Sequence, residues 1–458
     1  MSEKNDLAKI DDIIIFKYYV KGKLLFKSPL VLGSGEESNS DKDLIRNWYN
    51  KVFIPGFGIA GPSRHFLDSI LEDDGKEEHE LIRQVFGERE KDSRQSLIIF
   101  YDGDQMENVT INIRDGVALD YLTKIAKDTA KYNYEIMEPG AHCRFRIELT
   151  IRGKQEKEEV SKIENILFLI LNGFSKRDIR LGAKNARGYG EVELCDVKIL
   201  KLDISNEKDR DKWIGFEWDD FKEGNIHMGE LPQSLKTIQT RDEIKVEFKI
   251  PYSMLIRAPN PDPKEEDMVH LSSNGKSIIT GTTWAGALRN SLFQISREID
   301  KQKGIEEIVE KLFGFAKTRG KVPKYENRAQ KSRIFIKESI IENNELLNNT
   351  RNKIDRFSGG TVDTALFTEK PSFGGEVVLN IVINNAKEYE KGLVLLGIKE
   401  MWHGLQPIGG GSNIGRGILE GCKITINTSE EYDIKDINVD FNEKLEKYLT
   451  PLVGELEQ

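Results

Sequence analysis

Two aspartates, Asp41 and Asp43, stand in a polar stretch between an apolar run and a glycine turn. A loop carboxylate beside a phosphate-binding turn could hold Mg²⁺ or assist attack on a scissile phosphate; taken alone, an acidic loop residue is more often simply solvated. The turn that follows, IPGFGIAGPSRHFL, places Gly56 and Gly61 ahead of a helix, with Arg64 and His65 in its first turn. Exposed amides at a helix start plus an arginine suit a phosphate. A second, distant turn, LGAKNARGYG, carries Lys176, Arg177, Arg180, Lys184 and Arg187 on or before it, with Gly188 near its end. Glycines that permit close backbone approach, flanked by cations, suit a polyphosphate strand; on its own, such a turn is also an ordinary tight connection.

What these residues lack excludes other chemistries. The glycine turn runs helix, loop, strand, whereas dinucleotide and P-loop sites run strand, loop, helix, so no nucleotide cofactor is expected. The six histidines show no HxH or HExxH spacing, no GxSxG elbow is present, and the three cysteines form no CxxC pair. A thiolate zinc site and a disulfide framework are thereby excluded, and a reducing compartment is expected.

The elements that must position these residues occur twice. Shifted by 225, Tyr19–Leu67 overlays Ile244–Leu292 without a gap, pairing Gly56 with Gly281, Gly61 with Gly286 and Arg64 with Arg289. Shifted by 227, the second turn overlays IGGGSNIGRGILEGC, which contributes Gly409, Gly410, Gly411, Gly415 and Arg416. Two blocks in the same order at nearly the same offset indicate a tandem duplication. The ungapped register sets Asp41 against Glu266, and a one-residue slip brings Asp267 into place. Each half reads as strand, glycine turn, helix, strand, loop, strand, helix, glycine loop, strand, with residues 113–128 and 351–363 in the loop. The expected class is α+β, two ferredoxin-like domains over 1–202 and 243–458. Between them lies a charged linker, 203–242, expected to lie against a surface through Trp213, Phe216 and Trp218.

The chain of 458 residues has a formal net charge of −9, which excludes a wholly basic nucleic-acid coat. Cations are nevertheless segregated: residues 315–337 carry eight against a single acid, Glu326. No apolar run reaches the length that spans a bilayer and the start shows no signal-peptide hydrophobic region, so a cytoplasmic protein without a membrane partner is expected.

Several blocks together resemble the RAMP superfamily of CRISPR-associated proteins: Pro55-Gly56 through Arg64 and its echo Gly281–Arg289, the short Val85–Gly87 and Leu312–Gly314, and the twice-present terminal glycine loop. Ile354–Ile381 is similar to the middle of backbone subunits of type III CRISPR effector complexes, and two units in one chain resemble the fused subunits of III-D-like systems. The resemblance implies a modified RNA-recognition fold that holds guide RNA, pairs it with target RNA, and assembles with other backbone, large and small subunits. It implies β-hairpin thumbs, here roughly Thr123–Glu138 and Ser358–Lys370. It also implies Mg²⁺-dependent endoribonucleolytic cleavage of target RNA by a loop aspartate, the position of Asp41 and, after the slip, of Asp267. Two alternatives stay open: a purely structural guide-RNA-binding subunit, and a metal-independent guide-processing endoribonuclease for which His65 is the best-placed base.

Overall fold

A computed structural model of the chain describes residues 13–35, 40–71, 76–88, 95–119, 126–153, 157–235, 241–260, 266–299, 304–315, 329–427, 430–432, 446 and 448. In chain order the first repeat runs β1 (Ile14–Phe26), α1 (Gly56–Ile70), α2 (Lys76–Phe86), β2 (Ile98–Phe100), β3 (Ile111–Leu119), β4 (Ala126–Met137), β5 (His142–Arg152), α3 (Lys157–Ser175) and β6 (Val192–Asp203). After α4 (Glu207–Ile214) the second repeat runs β7 (Arg241–Lys249), α5 (Gly281–Ile299), α6 (Gly304–Phe313), β8 (Ile334–Ile336), β9 (Asn349–Ile354), β10 (Thr361–Lys370), β11 (Glu376–Asn384), α7 (Glu388–Trp402) and β12 (Glu420–Ile426).

In the first repeat the antiparallel sheet is ordered β2-β5-β1-β6, and in the second β8-β11-β7-β12. Both are the strand order of a ferredoxin-like sandwich, so the chain is α+β with two such repeats. Alternation builds each sheet. Along β5, Cys143, Phe145, Ile147, Leu149 and Ile151 are at most 1% exposed and face the helices, while Arg144, Arg146 and Glu148 point to the other face. Ile163, Ile166, Leu167, Ile170 and Phe174 of α3 recur at helical spacing and close the same core. Val377, Leu379, Ile381 and Ile383 of β11 do likewise against Leu393, Ile398 and Trp402 of α7.

Side-chain bonds fix how the repeats correspond. The Ser96 hydroxyl donates to the carbonyls of Val85 (2.9 Å) and Ile98 (2.6 Å), and the Ser332 hydroxyl to those of Leu312 (3.3 Å) and Ile334 (2.8 Å). In the opening strand the match is one residue from the ungapped register. The Gly190 amide donates to Pro29 O and the Gly417 amide to Ser253 O, each at 2.8 Å. The loop before the helix thus differs in length by one residue between the repeats.

Two further differences from the sequence expectation have physical causes. The helices begin at Gly56 and Gly281, so Gly61, Gly286, Arg64 and Arg289 lie inside them rather than at their starts. A Cβ at Gly56 would stand 2.2 Å from Phe100 O, a close approach that puts glycine at the first helical position. Much of the expected central loop is hairpin, β3 with β4 and β9 with β10. Ile113, Val117, Ile354 and Leu366 there are each at least 45% exposed, so no core-facing period marks the outer parts of these strands, whereas Tyr134, Ile136 and Met137 at the end of β4 are buried. The linker's aromatic residues lie against a surface, as expected, and the segment also holds the short helix α4. Phe216 stacks on Tyr19 of β1 at 3.6 Å between centroids, and Trp218 meets Tyr19 and Tyr101 edge-on at 5.5 and 5.2 Å. With Phe221 these rings form a small second core on the sheet face opposite the helices.

The chain packs as two compact units, one of Met1–Ile113, Asn133–Asn185 and Tyr189–Gln239, the other of Arg114–Tyr132, Ala186–Gly188 and Thr240–Gln458. No helix among the described residues is long and apolar enough to cross a membrane.

Candidate nucleic-acid interface

The glycine loops are first of all tight turns. The Leu181 amide donates to Gly190 O at 2.9 Å and the Ala183 amide to Val31 O at 2.7 Å; Ile408 with Gly417 and Gly410 with Leu255 repeat the pattern at 2.9 and 2.8 Å. A Cβ on Gly190 (φ +72°) or Gly417 (φ +76°) would lie 1.9 Å from the carbonyl of Leu181 or Ile408. Those glycines answer a backbone requirement. Gly409 and Gly411 are left-handed too, at φ +84° and +80°, while Gly415 at φ +81° meets nothing within 4 Å.

The cations of the first loop are not equivalent. Arg177 pairs with Glu193 at 2.9 Å, and Arg180 with Glu191 at 3.4 Å. The Lys184 ammonium sits 3.2 Å from the Tyr134 ring centroid, and the Tyr134 and Tyr189 hydroxyls are 3.0 Å apart. Lys176 is exposed at the end of α3. In the second loop Arg416 is 3% exposed and donates to Glu369 at 2.7 Å, so it braces the loop from inside. Glu369 also receives Arg351, and burial, which raises its pKa, is outweighed by these arginines, leaving the carboxyl below the usual glutamate range.

Arg187 and Arg289 differ from the rest. Both lie in the second unit and are half-buried. Burial lowers the Arg187 guanidinium below the usual arginine range, and the Arg289 charge pushes it the same way. Burial lowers Arg289 as well, partly offset by Glu310. Among the described residues the buried Arg289 Nε has no hydrogen-bond partner, and its guanidinium lies 5.3 Å from the Phe293 centroid. Two like charges withdrawn from water, each held back from full charge stabilisation, form a site an anion would stabilise. Gly61 and Gly286 occupy corresponding exposed positions on α1 and α5, and a Cβ at either would meet nothing within 4 Å. Arg64 is half-buried and His65 exposed on α1. The helix starts themselves are occupied. The Gly56 amide donates to Asp102 Oδ1 at 2.7 Å, and Thr280 Oγ1 accepts the Thr283 amide at 3.2 Å. The phosphate-binding potential therefore lies on the helix face.

Asp41 is exposed and bound to β4 twice: its Oδ2 accepts the Asn133 amide at 2.8 Å, and its own amide donates to Asn133 Oδ1 at 2.8 Å. The loop around it is clamped by Arg46, which donates to both oxygens of Glu135 at 2.8 and 3.0 Å. Asp43 is turned inward and bonds Ser40. In the second repeat Asp267 is exposed and accepts the Thr368 amide of β10 at 2.9 Å, again from the descending strand of the hairpin. Glu266 is 7% exposed and engaged by Lys370 at 3.6 Å and Asn260 at 3.2 Å. By accessibility and by its bond to the hairpin, Asp267 is the counterpart of Asp41. Asn133, Arg46 and Glu135 were not foreseen, because some 90 residues separate the clamp's two sides and no local pattern links them. The hard oxygen of a single exposed carboxylate fits Mg²⁺, which takes one or two carboxylates with water and substrate phosphate. Among the described residues no three acidic, histidine or cysteine groups cluster. Of the basic run 315–337, residues 316–328 lie outside the described residues, as do 123–125 of the first expected thumb.

Two ferredoxin-like repeats, each with a glycine-loop strand entry, an arginine-bearing first helix and a hairpin, define a class of tandem ferredoxin-like proteins. The RAMP superfamily model matches residues 23–193 and 245–420, one match per repeat and together more than half the chain. The chain belongs to the RAMP superfamily. It is also similar to the CRISPR system Cms endoribonuclease Csm3 of Methanocaldococcus jannaschii, 22% identical over 207 residues that span 40% of this chain and 81% of that protein.

Proposed function

We propose that the protein is a guide-RNA-binding backbone subunit of a type III CRISPR effector complex, each repeat holding the phosphate backbone of the guide. The observation that carries this reading is the pair Arg187 and Arg289, half-buried cations whose charge is destabilised by burial and which an RNA phosphate would compensate. Gly61 and Gly286 leave the helix face open to close backbone approach, and Arg64 supplies the corresponding cation in the first repeat. Cations and open helix faces of this kind hold RNA of any sequence, and specificity falls to base pairing with the target. Lys176 and Lys184 extend the cationic track, while Arg177, Arg180 and Arg416 serve chiefly to hold the loops in shape. The test is binding of the full chain to single-stranded RNA across a salt series. Removing one phosphate-binding cation lowers the slope of log affinity against log salt by about 0.7.

The finer part of the proposal is cleavage of target RNA at Asp41 and Asp267. Both carboxylates are exposed and fixed to the hairpin that would part guide from target. Their unshared oxygens would hold Mg²⁺, which supplies charge stabilisation at a scissile phosphate when bound. Asn133 and the Arg46–Glu135 clamp keep Asp41 in place for that role. In the assembled complex with Mg²⁺, Asp41→Ala and Asp267→Ala together are expected to abolish target cutting while guide binding stays within about twofold of the parent. An unchanged cutting pattern leaves the structural subunit as the correct reading.

A further inference from the structure

The segments that carry the two aspartates are built alike but held differently. The Ile45 amide donates to Leu32 O at 2.9 Å and the Leu271 amide to Ile256 O at 2.8 Å. Leu44 and His270, each one residue earlier, therefore occupy the same place, three residues after Asp41 and Asp267. Both are buried, each 2% exposed. By the same register Arg46 corresponds to Ser272. The Asn133 and Thr368 amides, which bind the two aspartates, set Glu135 against Lys370.

In the first repeat the Arg46–Glu135 pair holds the segment. Glu135 Oε2 accepts the Leu44 amide at 2.9 Å, and Arg46 also donates to Leu44 O at 3.1 Å. The second repeat has neither partner, since a serine and a lysine stand in those places. Lys370 turns instead to Glu266.

His270 takes over the task. Its Nε2 lies 3.1 Å from Ile278 O, and its Nδ1 lies 3.1 Å from Met254 O and 3.4 Å from the Ile256 amide nitrogen. One ring thereby joins its own strand, Met268–His270, to the chain at Met254–Ile256 and to Ile278, on the strand that leads into α5. Burial holds the imidazole below the usual histidine range, against the pull of the two carbonyls, so the ring is neutral at neutral pH. With its proton on Nε2 it donates to Ile278 and accepts from Ile256. The strand Met268–His270 begins one residue after Asp267. It pairs with Arg257–Pro259 on one side and with Glu369 and Lys370 on the other. A leucine fills a similar volume and makes none of the ring's bonds.

We infer that His270 is the positioning residue of the second aspartate, pinning the strand beside Asp267 as the Arg46–Glu135 clamp pins the segment of Asp41. The inference rests on the cleavage role proposed for Asp267. Its consequence is that the two acids are held by separate devices, one of which can be disabled without touching either carboxylate.

The experiment replaces His270 in the assembled complex with Mg²⁺ and follows the target cuts separately, the second being the one that Asp267→Ala removes. His270→Leu, which installs the residue of the first repeat, is expected to slow the Asp267-dependent cut by about tenfold or more, as misplacement of a reacting group does. The Asp41-dependent cut and the affinities for guide and target stay within about twofold of the parent. His270→Gln, whose amide nitrogen reaches the place of Nε2, restores the second cut at least in part. In the free full chain, hydrogen exchange of the Leu271 and Ile278 amides quickens by about tenfold in His270→Leu and returns toward the parent in His270→Gln. A side chain that only fills the core would let leucine serve as well. An Asp267-dependent cut at the parent's rate in His270→Leu, or unchanged exchange of these amides, therefore overturns the inference. So does a loss that falls on both cuts alike. A parent that makes no Asp267-dependent cut contradicts the cleavage reading alone, and amide exchange then decides whether His270 pins the strand.

Discussion

Glycine has two different meanings in this chain, and single substitutions separate them. Gly190→Ala drives a Cβ toward the Leu181 carbonyl at a left-handed φ, and an expected loss of about 3 kcal/mol or more would appear in chemical denaturation. Gly61→Ala meets nothing and sits in a helix, so the fold should gain about 0.5–1 kcal/mol. If α1 receives RNA by close approach, the same change weakens RNA binding despite the gain in stability. Glu369 makes a pH-dependent prediction. Its folded pKa lies below its ordinary value of 4.5, so its contribution is complete above that value and is lost as pH falls through the lowered one. Glu369→Gln leaves Arg416 buried without its counter-charge, costs about 3–5 kcal/mol near neutral pH, and flattens the acid limb of a stability–pH curve. The sequence singled out Arg416 by its position in a repeated loop. Whether an arginine faces an RNA or a buried glutamate 47 residues away is a matter of packing that spacing does not encode.

At the scale of elements, the segment after β6 acts as a strap. Phe216 and Trp218 cover the open sheet face over Tyr19 and Tyr101, and Arg146 lies 5.6 Å from the Trp218 ring centroid. Phe216→Ala or Trp218→Ala should each cost about 2 kcal/mol by thermal denaturation, as expected for half-buried aromatics. Its aromatic anchors were legible because three large rings in an otherwise charged stretch need a surface. Its helix Glu207–Ile214 was not, being short and without an apolar stripe. The core strands and the long helices were legible for the opposite reason, since burial on one face imprints a period of two or of about 3.6 residues. The hairpins are expected from the resemblance alone, because the outer parts of their strands have no core to face and leave no apolar period; Phe357 at the β9–β10 turn is fully exposed.

Across the whole molecule, the duplication was readable from two spaced blocks, whereas their exact register was not. One residue of loop length shifts the opening strand against the helix, and only hydrogen bonds such as Gly190 to Pro29 and Gly417 to Ser253 reveal it. The net charge of −9 similarly hides its distribution: arginines near the loops are partly neutralised by Glu191, Glu193 and Glu369, and the cations to which the proposed function assigns the guide phosphates are the two that burial leaves destabilised. The most direct test is the salt dependence of single-stranded RNA affinity for the parent chain and for Arg187→Ala with Arg289→Ala. The account predicts that the double variant binds at least tenfold more weakly at moderate salt, with a slope smaller by about 1.4, and is no less stable than the parent. A parent that does not bind RNA, or a double variant with the same affinity and slope, would contradict it.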